Sequence, residues 1–269
     1  MPARYPERIV CLTEETTETL YLLGEERRIV GISGYTVRPA RARREKPRVS
    51  AFLSAKTDRI LELRPDLVLG FSDLQADIAR DLAKAGLNVV LFNQRSVQQI
   101  LDMILLLSSM VGAAERGARL VASLEDGLSA IREAAGTFPF RPRVYFEEWD
   151  EPMISGIRWV SELVEMAGGV DVLSGLSRSP AATGRIHDGK SVVLANPHVI
   201  LASWCGKKFR PERVASRPGW DAVPAVKNGA LHEIKSADIL QPGPAALTDG
   251  VRRIHEILKE VVRRAPREV

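Results

Sequence analysis

The chain has 269 residues, of which 45% are hydrophobic and 27% are charged, and its formal net charge is +4 at pH 7. A chain of this length is expected to form two domains of ordinary size. The longest apolar run, residues 104–107, is far shorter than the roughly 20 residues that cross a bilayer, so we predict no membrane-spanning segment.

The excess positive charge is concentrated between residues 38 and 48, where six arginines and lysines are opposed by Glu45. A solvated loop is the ordinary explanation of such a run. A positive rim that attracts an anionic ligand is the functional alternative. No aromatic residues interleave these arginines, and neither zinc-finger nor helix-turn-helix spacing occurs, so we predict no binding to nucleic acid.

The first third of the chain alternates short apolar segments with helical segments. Continuous apolar strands that are separated by helices predict a parallel sheet covered on both faces. The predicted strands are 9–12, 29–32, 49–52, 67–70 and 89–92, and the predicted helices are 13–24, 56–63 and 74–85.

The alternation stops after residue 97, because the sequence up to residue 135 is compatible only with helix and is interrupted near Gly112. The second helix, residues 113–135, would be about 34 Å long at about 1.5 Å per residue, the width of a small domain. Strands then return. We predict strands at 143–147, 198–202 and 231–234, and helices at 158–167 and 246–262.

Two segments share one pattern, a proline and a polar residue followed by an apolar strand. They are residues 64–71 and residues 196–203. With a long helix between them, they favour two similar lobes. We therefore predict an α/β protein with two lobes of mainly parallel sheet: an N-terminal lobe (1–112), one interlobe helix (113–136) and a C-terminal lobe (137–269).

Ligands of open α/β sheets bind beyond the carboxyl ends of the strands, so the residues that follow the predicted strands are candidates for binding. Three of the four tryptophans fall there, and aromatic rings around a concave site suit a large, ring-bearing ligand. Packing of the loop bases is the alternative. The predicted ligand-binding residues are Glu14, Glu15, Tyr35, Phe52, Phe71, Trp149, Arg158, Trp159, Trp204 and Lys207.

No nucleophile-elbow, phosphate-loop, dinucleotide-binding or zinc-protease motif occurs, so no catalytic residue is predicted. An acid/base pair across a cleft could use Glu14 and Glu15 with the carboxylates of residues 147–151, although capping and solvated loop ends explain them as well. The four histidines fall in four separate elements, so neither a resident metal nor a cofactor is predicted.

Several segments resemble the metal-chelate binding proteins of ABC importers, the helical-backbone class that binds cobalamin, ferric siderophores or haem. They are residues 8–12, 18–24, 28–32, 61–69 and 218–229, and residues 203–211 resemble the cobalamin-binding members in particular. The resemblance covers residues 7–262.

This resemblance implies a class III periplasmic binding protein fold, with a rigid interlobe helix and limited closure on the ligand. It implies a monomer that captures a corrinoid or another metal chelate in the interlobe cleft, delivers it to an ABC permease and performs no chemistry. In the family, one acidic residue on each lobe docks onto arginines of the permease. Asp58 and Asp221 fall at similar places here, although glutamate is usual in the cobalamin receptor.

Two departures from the family keep alternatives open. No apolar segment precedes the first strand, so we expect no signal peptide, whereas the resemblance implies a periplasmic protein. Residues 13–16, Thr-Glu-Glu-Thr, replace a Pro-Ser-containing stretch and bring carboxylates to the cleft floor. A cytoplasmic relative that stores, delivers or senses a corrinoid or chelate is the main alternative. An enzyme that acts on such a ligand is the second.

Overall fold

The computed structural model describes residues 5–51 and 54–264. Phe52, one of the predicted ligand-binding residues, lies outside these ranges. The chain forms two compact units. The first comprises the residues up to Gln94 together with Gln98–Leu124, and the second comprises Arg95–Val97 with the residues from Glu125 onward.

The first unit contains a sheet of six strands in the described residues, in the order β4-β3-β2-β1-β5-β6. All neighbouring pairs are parallel except β3 and β4, which form an antiparallel edge. The strands are β1 (Ile9–Cys11), β2 (Ile29–Ser33), β3 (Arg48–Ala51), β4 (Ser54–Ala55), β5 (Leu67–Phe71) and β6 (Val89–Phe92).

Helices cover this sheet because its strands are apolar on both faces. Val10, Leu12 and Val68 pack on one face with Ile60 and Leu82, which come from two of the helices. The helices are α1 (Glu14–Leu22), α2 (Ala42–Glu45), α3 (Thr57–Glu62), α4 (Ala76–Lys84) and α5 (Val97–Met110).

The long predicted helix is present as α6 (Ala114–Ala135), and the boundary between the two units falls inside it. Gly112 follows the end of α5 with a φ of 72°, in the left-handed region that glycine adopts at little cost. Gly117 lets α6 approach α5, since a Cβ atom there would lie 1.9 Å from Ser108 Oγ. No strand occurs between Phe92 and Arg143 in the described chain.

The second unit has a five-stranded sheet in the described residues, in the order β11-β10-β7-β8, with β9 paired to the start of β7. Only β7 and β8 are antiparallel. The strands are β7 (Arg143–Asp150), β8 (Met153–Ser155), β9 (Val170–Asp171), β10 (Val199–Ala202) and β11 (Leu231–Glu233).

Seven short or medium helices complete the second unit. The C-terminal helix predicted from residue 246 begins as a π-helical turn, Ala246–Gly250, before it becomes regular. The helices are α7 (Arg158–Met166), α8 (Ser174–Ser177), α9 (Lys190–Ala195), α10 (Pro211–Ala215), α11 (Pro224–Lys227), α12 (Ser236–Ile239) and α13 (Val251–Arg264).

The two segments with a shared sequence pattern adopt the same local structure, which we call the amino-end motif. In each, the residue before the proline has a left-handed backbone, with φ of 45° at Arg64 and 52° at Asn196. In each, an arginine at or directly before the start of the first strand of its unit donates from its guanidinium to carbonyls at the end of a helix. Arg8 bonds to Leu63 and Arg64, and Arg143 bonds to Ala195 and Asn196.

The correspondence extends to the residue after the proline. The backbone N–H of Arg8 donates to the carboxylate of Asp66, and that of Arg143 donates to Nδ1 of His198. The backbone N–H groups of Asp66 and His198 donate back to the carbonyls of Arg8 and Arg143. The two segments that share a sequence pattern therefore also share a local structure, at the amino ends of β5 and β10.

Two parts of the predicted secondary structure need correction. The strands β4, β8 and β9 were not predicted, because each has only two or three residues. The helix predicted over 74–85 begins as a 3-10 turn, Asp73–Gln75, because Ser72 Oγ accepts from the Leu74 N–H and sets a tight start.

Candidate functional site

The carboxyl edge of the first sheet carries two buried glutamates at the start of α1. Thr13 has an extended backbone and α1 begins at Glu14, so the chain turns directly from β1 into the helix. Burial, with the charge of Glu15 next, raises the pKa of Glu14 to about 8, although Glu14 accepts a hydrogen bond from the Val37 N–H. Glu14 is therefore mainly protonated at neutral pH.

Glu15 is the more deeply buried of the two, with 1% of its surface exposed. Its Oε1 accepts a hydrogen bond from Thr13 Oγ1 at 2.6 Å, while its Oε2 is buried and has no hydrogen-bond partner in the described structure. Burial raises the pKa of Glu15 to about 7, and the hydrogen bond from Thr13 opposes that rise. No cation pairs with either glutamate among the described residues.

Tyr35 follows β2 and is 58% exposed, with its backbone N–H bonded to Ser33 Oγ. The structure thus places an accessible aromatic ring at this edge, as the sequence predicts. Phe71 differs, because it is the last residue of β5 rather than a loop residue and is buried. Its predicted place in the loop is wrong.

The carboxyl edge of the second sheet is built around Glu147, which is fully buried in β7. Its carboxylate accepts two hydrogen bonds from Arg217, at 2.5 and 3.0 Å. It accepts two more, from the Tyr145 hydroxyl at 2.9 Å and from the Trp204 indole N–H at 3.0 Å. Four hydrogen bonds to one buried carboxylate satisfy its hydrogen-bonding capacity and fix its position.

The neighbouring carboxylates of β7 are paired as well. Glu148 binds Arg185, a fully buried arginine that also donates to the Ser155 carbonyl. Asp150 is buried and pairs with Lys207, with Arg213 3.2 Å away. The acid/base pair considered from the sequence therefore has no free carboxylate at Glu147, Glu148 or Asp150.

The three tryptophans predicted to face a ligand have different environments. Trp149 is half-buried, and the Lys207 ammonium lies 4.2 Å from its ring centroid. Trp159 lies inside α7 rather than in a loop, is 3% exposed and donates to the Ile239 carbonyl. Trp204 is equally buried and packs edge-on against Phe209. The rings of Trp159 and Trp204 therefore pack the second unit, and their predicted contact with a ligand stays a prediction.

The remaining predicted residues lie at the surface. Arg158, the first residue of α7, forms a 2.8 Å ion pair with Glu162 one turn later. Asp58 near the start of α3 and Asp221 in a 3-10 turn are both exposed, and neither forms an ion pair with a described residue. Docking onto a permease requires accessible carboxylates of this kind and stays a prediction.

Arg217, Arg185, Tyr145 and His187 were missed by the sequence analysis. His187 is hydrogen-bonded to the Tyr145 hydroxyl at 2.9 Å, and Arg217 comes from a loop 70 residues after Glu147. Neither residue belongs to a motif, so nothing in the sequence marks them. The sequence offered only an indirect signal. Glu147 lies in a strand that is buried, and a buried carboxylate requires a cation nearby.

The described residues contain no group of three histidine, cysteine, aspartate or glutamate side chains arranged to hold a metal ion. Both cysteines are free thiols. Burial raises the pKa of Cys11 to about 12, so this thiol is unreactive, whereas Cys205 is exposed. No helix in the described part of the chain has the length and hydrophobicity needed to cross a membrane.

A family profile described as periplasmic binding protein matches residues 9–237. Two curated proteins with similar sequences come from bacteria. An uncharacterised ABC transporter substrate-binding lipoprotein, YvrC of Bacillus subtilis, is 25% identical over 93% of this chain and 79% of its own length. The vitamin B12-binding protein of Vibrio vulnificus is 24% identical over 90% of this chain and 86% of its own length.

The fold matches a solved structure, a possible iron-binding (periplasmic solute-binding) protein from Staphylococcus epidermidis. The TM-score is 0.82 at 18% identity, over 94% of this chain and 99% of that protein. An identity this low supports the fold and not the ligand. The predicted α/β fold, with two lobes of mainly parallel sheet and one long helix, is confirmed.

Proposed function

We propose a transport role for this chain, which belongs to the periplasmic binding protein family: it captures a metal chelate such as a corrinoid, a ferric siderophore or haem and delivers it to an ABC importer. The observation that carries the proposal is the family match over residues 9–237, which spans the carboxyl edges of both sheets. The name of one similar protein, a vitamin B12-binding protein, supports this class of cargo, and the name of the other, an ABC transporter substrate-binding lipoprotein, supports the importer.

The arrangement of the carboxyl edge of the second sheet supports binding rather than turnover. In the second unit Glu147, Glu148 and Asp150 form ion pairs, so cations hold these three carboxylates in place. A general acid or base instead needs a proton that it can exchange near neutral pH. Accessible aromatic rings, Tyr35 in one unit and Trp149 in the other, are suited to a large planar ligand.

The family implies that this work is done outside the cytoplasm, on the side where an ABC importer receives its cargo. The partner is then a permease, and we assign the docking acids to Asp58 and Asp221. Both carboxylates are accessible, which supports the assignment.

The test mixes the purified protein separately with cyanocobalamin, haemin and a ferric hydroxamate chelate, removes free ligand by desalting and records the absorbance spectrum. We expect one chelate to stay bound in stoichiometric amount, with a spectrum that does not change over hours. If no chelate is retained, the proposed cargo is wrong. If the bound chelate is converted to a product, binding without chemistry is wrong.

Tyr35→Ala and Trp149→Ala should each weaken binding of the retained chelate by about tenfold, because loss of one stacked ring typically costs on the order of 1–2 kcal/mol. Tyr5→Ala is the matched control, since Tyr5 is also an exposed tyrosine of the first unit and lies against Gly112 instead. Equal effects of Tyr35→Ala and Tyr5→Ala would remove Tyr35 from the binding surface.

A further inference from the structure

The first unit contains an open depression of about 600 Å³, which we call the basic pocket. It adjoins the ends of β2 and β3, and its charged lining is entirely positive in the described structure. The cations come from α2, β3 and α3 and the segments that flank them. They are Arg43, Lys46, Arg48, Lys56 and Arg59, and the other lining residues are Gly34, Pro47, Val49, Ser50, Ala51 and Ser54.

None of these five cations forms a hydrogen bond or an ion pair with a described side chain. Other arginines of the same unit are paired: Arg28 with Glu25, Arg41 with Glu26, and Arg116 with Glu25. The unit therefore has carboxylates that pair with arginine, but places none of them in the basic pocket. The absence of carboxylates from this lining is a local property and does not follow from overall composition.

One acid close to this charge, Glu14, does little to offset it. Arg43 interacts electrostatically with Glu14, but burial raises the pKa of Glu14 to about 8, so this group is mainly neutral at pH 7. Partial burial lowers the pKa of Lys46, and the charges of Glu45 and Glu26 oppose that change. Like charges that share one concave surface repel each other and concentrate a positive potential there.

A hydroxyl group in the same pocket also lacks a partner. Ser50 Oγ is buried and makes no hydrogen bond in the described structure. A buried hydroxyl normally has a hydrogen-bond partner, and one without a partner costs free energy. An anion in the basic pocket could accept this hydrogen bond as well as those of the guanidinium groups.

Depressions in the second unit have a different charge balance. One of about 270 Å³ contains Glu233 along with its lysines. Another, of about 420 Å³, is lined by four acids and three bases. A uniformly positive lining is therefore a feature of the basic pocket and not of this protein's depressions in general.

We propose that the basic pocket is a binding site for a multivalent oxyanion, a group that carries at least two closely spaced phosphate or carboxylate charges. Arg43, Arg48 and Arg59 supply paired N–H donors that match the oxygens of such groups, and the two lysines add charge. The Ser50 hydroxyl donates one further hydrogen bond. The site is proposed from the first unit alone and does not depend on the identity of the transported chelate.

The oxyanion has two potential sources, a free polyanion or the acidic arm of a larger chelate. The test titrates the protein with inorganic pyrophosphate and with citrate by isothermal calorimetry at low salt. We expect saturable binding of at least one probe, and Arg48→Gln/Arg59→Gln should weaken it at least tenfold. Affinity should fall as salt increases, because the contacts are between charges. Ser50→Ala should weaken it about fivefold, the usual effect of one lost hydrogen bond.

The matched control is Arg27→Gln/Lys84→Gln, which removes two exposed cations of the same unit that also lack a described partner and lie outside the basic pocket. This control should change the affinity less than twofold. Absence of binding by both probes, or equal weakening by the two double variants, would overturn the proposal. Thermal melts of all variants report whether each one is folded.

Competition then distinguishes the sources. If pyrophosphate displaces a bound chelate such as haemin, the basic pocket holds the acidic arm of the cargo. If both bind at once, the pocket is a separate polyanion site. Should no chelate bind while pyrophosphate still does, the proposed cargo fails and the basic pocket stands.

Discussion

The two units have the same arrangement at the amino ends of their sheets and opposite arrangements at the carboxyl ends. Arg8 and Arg143 make equivalent bonds to the end of a helix and to the residue after a proline. At the carboxyl ends, the β7 carboxylates of the second unit are paired with cations, whereas Glu14, Glu15 and the cations of the basic pocket in the first unit have no ion-pair partner among the described residues. The shared end is a requirement of the fold, and the divergent end is available to function.

The difference is physical as well as positional. In the second unit Arg217, Arg185 and Lys207 fix the carboxylates of β7, so this edge has a defined, rigid charge pattern. In the first unit Glu14 and Glu15 are buried without cations and reduce the cost by taking up protons near neutral pH. One edge is organised before a ligand arrives, and the other has charges that a ligand can compensate.

The largest expected change in stability comes from breaking an ion pair at the carboxyl edge of the second sheet. Arg217→Met leaves Glu147 fully buried without its cation, and removal of one partner of a buried ion pair typically costs about 3–5 kcal/mol of unfolding free energy. Urea denaturation measures the loss. Arg213→Met is the control, because Arg213 is half exposed and its pair with Asp150 should contribute less than about 1 kcal/mol.

A double variant separates the charge from the packing. In Arg217→Met/Glu147→Gln the uncompensated charge is gone, so much of the lost stability should return. If the double variant is as unstable as Arg217→Met, the loss comes from packing around Trp220, over whose ring the guanidinium lies, and not from the ion pair.

At the carboxyl edge of the first sheet, we expect a substitution to change stability by a smaller amount and in the opposite direction. The pKa of Glu15 is about 7 in the folded protein, above the ordinary 4.5, so the folded state holds its proton more tightly than the unfolded state. The contribution to stability is therefore fully present below pH 4.5 and is lost as the pH rises through 7. Glu15→Gln keeps an oxygen for the Thr13 hydroxyl and removes the ionisation.

Glu15→Gln should match the parent protein near pH 4.5 and exceed its stability by roughly 1–3 kcal/mol at pH 8.5, since one pKa unit corresponds to about 1.4 kcal/mol. Denaturant unfolding at several pH values measures the gap. Glu62→Gln is the control, because Glu62 is exposed in the same unit, and substitution of an exposed residue usually changes the free energy of unfolding by less than about 0.5 kcal/mol. A gap for Glu15→Gln that shrinks as the pH rises would contradict the raised pKa.

Much of the fold could be predicted from the sequence, and much of the site could not. Strands such as Leu67–Phe71 are continuous apolar runs with a proline before them, so local pattern determines them. The pairing of Glu147 with Arg217 joins residues 70 positions apart, and no local pattern encodes it. The burial of Trp159 and Trp204 could not be predicted, because position after a strand does not determine exposure, which depends on tertiary neighbours such as Ile239 and Phe209.

The smallest expected effect on stability concerns a feature that the two units share. Asp58 and Asp221 are each exposed, and neither has an ion-pair partner in the described structure, so neither contributes measurably to folding. If these acids dock onto arginines of a permease, their contribution appears only in the complex. Asp58→Lys/Asp221→Lys should leave the melting temperature and chelate affinity nearly unchanged and should abolish association with the permease.

The matched control reverses two other exposed acids, one from each unit, in Asp77→Lys/Glu212→Lys. Association should be measured with the cognate permease in nanodiscs over a range of salt concentrations. Electrostatic docking predicts binding by the parent protein that weakens as salt rises and is insensitive to the control reversal. Because each unit is expected to supply one contact, Asp58→Lys and Asp221→Lys should each weaken association on their own. If only one of them does, docking uses a single unit and the correspondence between the two units ends at their folds.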